Sequence, residues 1–220
     1  MRLVKGAAVY SSSGEKIGTL SRVVIDPRTR QVSHLVIEKG LLFASDKIVP
    51  IDRVALEEEK KIILPASEQN LEDFQDFEEE QYVNLDSSEY PEGEGEGQVE
   101  TSYWYPPVNY AWWRTGTQMF SPPMPLYTIR ATQNIPDGTV ALEEGAKVVS
   151  ADNKHVGNIE QLIVDAQDKR VTHFVISEGL LFKERKLIPV LWIASIGEYQ
   201  VRLSVNARTL EQVPAYKKDR

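Results

Sequence analysis

"GEKIGTLSRVVIDPRTRQVSHLVI", residues 14–37, is the most informative stretch of the sequence because a similar stretch, "NKHVGNIEQLIVDAQDKRVTHFVI", occurs at residues 153–176. The alignment has a constant offset of 139 and no gap, and between residues 6–55 and 145–194 seventeen of fifty positions are identical. A repeating unit of about seventy residues is longer than a solenoid repeat and fits a small duplicated domain. The 220-residue chain is therefore predicted to hold two copies of one fold.

Each copy has the pattern of short antiparallel strands. Strands are predicted at residues 7–11, 16–25, 31–38 and 46–51, and 139 positions later, because these stretches are rich in Val, Ile, Leu and Thr between turn residues. Gly14 and its counterpart Asn153 both tolerate positive φ, which predicts a hairpin turn. Asp26 and Asp165 are expected to open the next turn.

Gly18 and Gly157 lie inside the longest predicted strand, where a repeated glycine indicates a bulge or sharp bend. Residues 67–77 and 206–216 space apolar side chains three apart, which favours a short helix or turn. The predicted fold class is mainly all-β, with two small antiparallel β-barrels in tandem, each followed by a short helix or turn. A long irregular linker joins them.

The predicted boundaries are 1–77 for the first repeat, 78–138 for the linker and 139–220 for the second repeat. Residues 65–100 hold thirteen Asp and Glu and no Lys or Arg. The net charge of −8 therefore arises in the middle of the chain, and elsewhere 25 basic residues exceed 20 acidic ones. Such an acidic stretch cannot bury enough apolar surface to fold alone.

The later part of the linker is rich in aromatic residues and proline, unlike a flexible linker. Three interpretations stay open: it packs back across the two barrels, it binds a partner protein, or its rings stack on single-stranded nucleic acid or sugars. Few positive charges lie nearby, so the nucleic-acid signal is weak. The candidate interaction residues are Trp104, Tyr105, Trp112, Trp113 and Phe120.

"GLLF" occurs at residues 40–43 and again at 179–182, while the next three residues, "ASD" and "KER", differ. Burying three large apolar side chains stabilises a fold by roughly 5–8 kcal/mol, which favours packing over an exposed binding patch. We expect the segment to close its barrel or to meet its twin between the halves. The candidate packing residues are Leu41, Leu42, Phe43, Leu180, Leu181 and Phe182.

Residues able to carry catalysis are scarce. The absence of cysteine excludes disulfides, thiolate metal sites and a Cys nucleophile. His34 and His173 occupy equivalent strand positions, and we interpret them as structural, with a ring nitrogen bonded to backbone or solvent. Lys47 and Lys186 also correspond and are interpreted as surface lysines.

The HExxH, GxxxxGK[ST], GxGxxG and GxSxG motifs do not occur in the sequence. We therefore assign no catalytic, cofactor-binding or metal-binding residue and expect a protein that is not an enzyme. The sequence shows neither a signal peptide nor a membrane-spanning stretch, which favours the cytoplasm.

The repeated order of motifs resembles the PRC-barrel domain family over about residues 3–75 and 142–216. The motifs are Gly-Ala-x-Val, the hairpins "EKIG" and "KHVG", the strands "VSHLVI" and "VTHFVI", and a fourth strand ending in proline. The family includes the cytoplasmic domain of the photosynthetic reaction-centre H subunit and the C-terminal domain of the ribosome maturation factor RimM. The resemblance implies a non-catalytic interaction and regulatory module.

The main functional hypothesis is thus an adaptor with an unknown protein partner, in which the two barrels pair with each other. One alternative is a peripheral component of a photosynthetic or electron-transfer complex at the cytoplasmic face of a membrane. A second alternative is a ribosome assembly factor.

Overall fold

The computed structural model describes residues 1–4, 6–38, 45–57, 61–65, 71–84, 127–143, 145–178 and 184–217. The chain forms two compact units, Met1–Phe77 with Asn134–Arg220, and Glu78–Gln133. Both sequence repeats lie in the first unit. Among the described residues, none of the helices could span a bilayer.

The described chain is mainly β-strand. The strands of the first half are β1 (Arg2–Val4), β2 (Ala8–Tyr10), β3 (Lys16–Ile25), β4 (Val32–Glu38), β5 (Lys47–Pro50), β6 (Ala55–Glu57), β7 (Lys61–Ile63) and β8 (Glu78–Asn84). Those of the second half are β9 (Tyr127–Gln133), β10 (Val140–Glu143), β11 (Lys147–Val149), β12 (His155–Val164), β13 (Val171–Glu178), β14 (Glu184–Pro189), β15 (Ile193–Ile196) and β16 (Gln200–Leu203). Short 3-10 helices span Ile51–Arg53, Leu71–Asp73 and Val190–Trp192, and α1 spans Ala207–Glu211.

Two seven-stranded sheets, one per repeat, confirm the predicted tandem β fold. The first has the order β5-β4-β3-β2-β7-β6 with β10 beside β3, and the second has β14-β13-β12-β11-β16-β15 with β1 beside β12. The pairs are antiparallel except β2 with β7 and β11 with β16, which are parallel. Parallel neighbours need a crossover connection, which hairpin signals in a sequence do not reveal.

The long strand β3 has a bulge at its glycine, one of the two features that this residue predicted. Its pairing with β2 shifts register between Val9 opposite Gly18 and Tyr10 opposite Lys16, and its last residues pair with β10. A Cβ on Gly18 would lie 2.6 Å from Cγ2 of Ile37 and 2.8 Å from the carbonyl oxygen of Glu38. Only glycine permits this close approach between β3 and the end of β4.

The predicted turns are also confirmed. Gly14 has φ of 85° and Asn153 has φ of 60°, so both hairpins use the left-handed region. Oδ1 of Asp26 accepts the backbone N–H of Arg28 at 2.7 Å, and Oδ1 of Asp165 accepts that of Gln167 at 2.8 Å. Each aspartate therefore fixes the turn that follows it.

The two repeats exchange their first strands. Leu3 of β1 pairs with Leu162 of β12, and Leu142 of β10 pairs with Val23 of β3. The two pairings are equivalent at the offset of 139, so each repeat completes the other's sheet.

Two turns also meet each other at the centre of this exchange. The N–H of Val32 donates to the carbonyl of Lys169 at 2.9 Å, and the N–H of Val171 donates to that of Arg30 at 2.9 Å. These bonds are also equivalent at the offset of 139, so the repeats are related by an approximate twofold axis.

One hydrophobic cluster runs through both repeats. Leu3 and Leu142 are each 2% exposed, and they meet Leu20 and Ile159 around a cavity of only about 20 Å³. A fully buried leucine contributes roughly 1.5–3 kcal/mol relative to exposure. Separating the repeats would thus expose the core of each.

An ion pair joins the repeats on one side. Nη1 of Arg22 lies 2.5 Å from Oε1 of Glu198, and the guanidinium lies 5.5 Å from the ring centres of both Phe77 and Tyr199. The position equivalent to Arg22 is Gln161, so this contact has no symmetric twin.

The second unit, in its described part, is an antiparallel pair of strands. β8 pairs with β9 from Glu78 opposite Gln133 to Asn84 opposite Tyr127. The ends of the predicted linker are therefore regular strands, while residues 85–126 lie outside the described part.

Candidate docking grooves

None of the site residues singled out from the sequence lies in the described part of the chain. The aromatic candidates Trp104, Tyr105, Trp112, Trp113 and Phe120 fall in residues 85–126. The packing candidates Leu41, Leu42, Phe43, Leu180, Leu181 and Phe182 fall in residues 39–44 and 179–183. Both assignments stay predictions.

A groove occurs at the same place in both repeats, each with a cavity of about 550 Å³. The first groove lies between β5 and the segment after the 3-10 helix Leu71–Asp73, and the second lies between β14 and the segment after α1. Five lining positions correspond: Ile48 and Leu187, Pro50 and Pro189, Asp73 and Gln212, Phe74 and Val213, Gln75 and Pro214.

Backbone hydrogen bonds create the grooves. The N–H of Phe77 donates to the carbonyl of Asp46 at 2.7 Å, and its counterpart Tyr216 donates to Arg185 at 2.6 Å. The bridge between Lys47 and Asp76 likewise repeats between Lys186 and Ala215. In each repeat the chain is therefore held beside the strand β5 or β14.

In the first repeat, Asn134–Pro136 lie along this segment, and we call them the docked segment. The N–H of Asn134 donates to the carbonyl of Phe77 at 2.8 Å, and its Nδ2 donates to the carbonyl of Asp76 at 2.9 Å. Ile135 packs on a small cluster on the outer side of the sheet, made of Val24, Val36, Ile48, Phe77 and Ala141. The docked segment thus combines backbone pairing, a side-chain amide and an aliphatic anchor.

In the second repeat the same positions are open. Ala215, Tyr216 and Lys217 line the second groove, whereas their counterparts at 76–78 do not line the first. Phe77 is 2% exposed and Ile48 5%, but Tyr216 and Leu187 are both half-buried. The exposure of these side chains therefore follows the presence of the docked segment.

The rim of the second groove is more apolar than that of the first. Trp192 lines it, and the adjacent Leu191 is 74% exposed. The first repeat carries Arg53 and Asp52 at these positions, both exposed. Trp192 is half-buried, so the second repeat presents one exposed and one half-buried apolar side chain in succession where the first repeat has charged ones. Adjoining apolar surface of this kind marks interaction sites more often than isolated side chains do.

The histidines differ between the repeats. Nδ1 of His173 lies 3.2 Å from Oγ1 of Thr172. Nδ1 of His34 is buried beside the first groove and has no hydrogen-bond partner among the described residues. Burial lowers the pKa of His34 because desolvation disfavours the charged ring.

The prediction of surface lysines is wrong for Lys186, which is 5% exposed and donates from Nζ to the carbonyl of Leu210 at 2.8 Å. A lysine can be buried when its ammonium reaches carbonyls at a helix end. Lys47 instead pairs with Oδ1 of Asp76 at 2.7 Å. Hydrogen bonds from Lys47 and then Ser45 lower the pKa of Asp76.

Within the described residues no group of three or more His, Asp or Glu side chains is placed to hold a metal ion. The grooves offer backbone carbonyls beside apolar side chains, an arrangement that suits an extended peptide. Sequence reasoning noted Val213 and Tyr216 only as helix spacing and did not identify a groove. Apolar residues in one repeat at positions where the other has charged ones, such as Leu191 in place of Asp52, are the sequence signal that could have indicated the second groove.

A family model described as PRC-barrel domain matches residues 2–71 and 144–205, which coincide with the two repeats and make up more than half of the chain. No curated protein matches the chain.

Proposed function

This chain belongs to the PRC-barrel domain family, and on that premise we propose that it is a non-catalytic adaptor that acts by binding a partner protein. The observation that carries the proposal is the exposed apolar surface on one side of the second repeat. There Leu191 is 74% exposed and lines a cavity of about 380 Å³, and the next residue, Trp192, lines the second groove.

The surroundings of this surface support a binding role over a structural one. Leu191 belongs to the 3-10 helix Val190–Trp192, whose first residue, Val190, is buried in the core and fixes the turn. Leu191 therefore points outward from a rigid support. Presenting apolar side chains on a rigid scaffold limits the conformational entropy lost on binding.

The strand exchange between the repeats also supports this proposal. Because β1 and β10 each complete the sheet of the other repeat, the two repeats present their surfaces in a fixed arrangement. A rigid double module can present two surfaces at once, which is what an adaptor requires.

The test is cross-linking in the cells that make the protein, followed by affinity purification of the tagged full-length chain. We expect wild type and the control Ser195→Asp, an exposed change on β15, to recover the same partner protein. Leu191→Asp should lose it, because a carboxylate at the centre of an apolar contact is costly to desolvate.

Recovery of the same proteins with all three chains, or of none with wild type, would contradict the proposal. The identity of a recovered partner also separates the alternatives. Small-subunit ribosomal proteins would select ribosome assembly, and subunits of an electron-transfer complex would select the membrane-associated role.

A further inference from the structure

We propose that the second groove binds an extended segment of a partner protein in which an amide side chain is followed by an aliphatic residue and proline. This inference rests on the proposed function and specifies the chemistry of the partner. The chain itself contains the template, because the docked segment in the first repeat reads Asn134-Ile135-Pro136.

The hydrogen-bond acceptors of the docked segment have counterparts in the second repeat. Its two hydrogen bonds end on the carbonyls of Phe77 and Asp76. The counterparts are the carbonyls of Tyr216 and Ala215, and within the described residues no hydrogen bond to the carbonyl of Tyr216 is made. A partner amide and backbone N–H can therefore pair there as Asn134 does in the first repeat.

The apolar anchor also has a counterpart. Ile135 contacts a cluster that includes Ile48 and Phe77, and the equivalent Leu187 and Tyr216 are half-buried and line the second groove. An aliphatic side chain placed on them would remove from water the surface that Ile135 removes in the first repeat. Proline after it fits because its fixed φ keeps the segment extended and its missing N–H needs no partner.

The two grooves differ in charge. Asp73 lines the first groove, whereas its counterpart Gln212 and also Lys217 line the second. The second groove thus has a neutral residue in place of a carboxylate and gains an ammonium. We expect the partner segment to carry an acidic residue after its proline, as Asp137 follows Pro136.

A partner protein is the occupant that the structure favours over a second copy of this chain. Asn-Ile-Pro occurs once in the sequence, and that copy is already bound to Asp76 and Phe77 of the first repeat. A second molecule would have to release its own docked segment, exposing Ile48 and Phe77, in order to donate it.

The test uses full-length protein and a fluorescein-labelled peptide of residues 131–139, ATQNIPDGT, followed by fluorescence anisotropy. We expect saturable binding, weakened at least tenfold by Ile135→Asp within the peptide. This peptide change cannot unfold the protein. Val213→Asp in the second groove should weaken binding at least tenfold as well, whereas the control Ser195→Asp, with the same added charge, should leave it unchanged.

A photo-reactive leucine in place of Ile135 in the peptide locates the site. We expect cross-links to residues 187–217. Cross-links to residues 46–77, equal binding of the Ile135→Asp peptide, or no saturation at millimolar peptide would overturn the proposal.

Two further outcomes assign the groove to another occupant and also overturn it. A dimer in light scattering that Val213→Asp abolishes would assign the groove to a second copy. A gain in peptide binding above tenfold after deletion of residues 98–126 would assign it to the chain's own aromatic segment. Because the peptide assay needs no cellular partner, its failure leaves the cross-linking result with Leu191→Asp unaffected, and the two proposals fail separately.

Discussion

The two repeats have nearly the same backbone but different surfaces. In the first repeat, Ser21 donates to Asp46 at 3.3 Å, and at the same two positions of the second repeat Arg185 donates from Nε to Glu160 at 2.8 Å. A side-chain hydrogen bond from β3 to the residue before β5 thus corresponds to one from β12 to the start of β14, although different residue types form the two bonds. At the surface, the duplicated fold therefore retains the positions that touch one another more strongly than the residue types at those positions.

The largest difference between the repeats concerns what covers the groove. In the first repeat the docked segment forms one wall of the groove and covers Phe77, while in the second repeat the equivalent Tyr216 is half-buried and lines the groove with Trp192. One copy therefore binds a segment of the chain at this place, and the other leaves the equivalent surface open.

The largest expected effect tests the equivalence of the exchanged strands. Leu3→Ala and Leu142→Ala should each lower the free energy of unfolding by about 2–5 kcal/mol, because each removes a buried side chain from the joint core. Urea denaturation measures the loss. Although Leu3 lies in the first repeat, Leu3→Ala should reduce the hydrogen-exchange protection of β12 in the second repeat. A loss of protection confined to the first repeat would contradict the pairing of β1 with β12.

A smaller effect is expected from Gly18→Ala. The added Cβ would lie 2.6 Å from Cγ2 of Ile37, and such overpacking costs about 1–3 kcal/mol. Its counterpart Gly157 has φ of 140°, so Gly157→Ala should destabilise the protein as well, through backbone strain. Thermal unfolding measures both against the exposed-turn control Ser12→Ala; a Gly18→Ala protein as stable as that control would show that β3 and β4 can separate locally.

The equivalent lysines should behave differently. Lys186→Met removes a buried donor from the carbonyl of Leu210 and should cost about 1–3 kcal/mol. Lys47→Met removes an ion pair with the half-exposed Asp76 and should cost at most about 1 kcal/mol. Chemical denaturation of the two variants provides the comparison, and equal losses would mean that the burial of Lys186 has no energetic consequence.

The smallest expected effect depends on pH. Because burial lowers the pKa of His34 in the folded state, folding favours the neutral ring. The contribution of His34 to stability is fully present above the pKa of the unfolded state, about 6.5. It is lost as the pH falls through the lower pKa of the folded state.

Urea denaturation at pH 7.5 and pH 5 tests this expectation. Wild type should lose more stability between these values than His34→Gln, and His173→Gln serves as the matched variant from the second repeat. An unchanged pH dependence in His34→Gln would exclude this role for His34.

Much of the fold could be predicted from the sequence because its determinants are local. Val, Ile and Leu between turn residues located the strands, and Gly14, Asn153 and Gly18 marked two turns and a bulge that the structure contains. The ordered motifs, present twice, pointed to the family that the comparison with family models identifies.

The grooves could not be predicted because they depend on contacts between distant residues. Whether Ile48 is covered is decided by Ile135, which is 87 positions away in the sequence. The burial of Lys186 likewise depends on the carbonyl of Leu210. Periodicity reports which face of a strand is apolar, but not which other segment lies on it.

The exchange of first strands also has a consequence for the order of events during synthesis. The sheet of the first repeat is completed by β10, residues Val140–Glu143. This sheet therefore cannot form completely until the ribosome has synthesised the whole linker and β10. The N-terminal strand must stay unpaired for even longer, because its partner β12 ends at Val164. Closing such long loops slows folding, so we expect the two repeats to mature in one late step rather than one after the other.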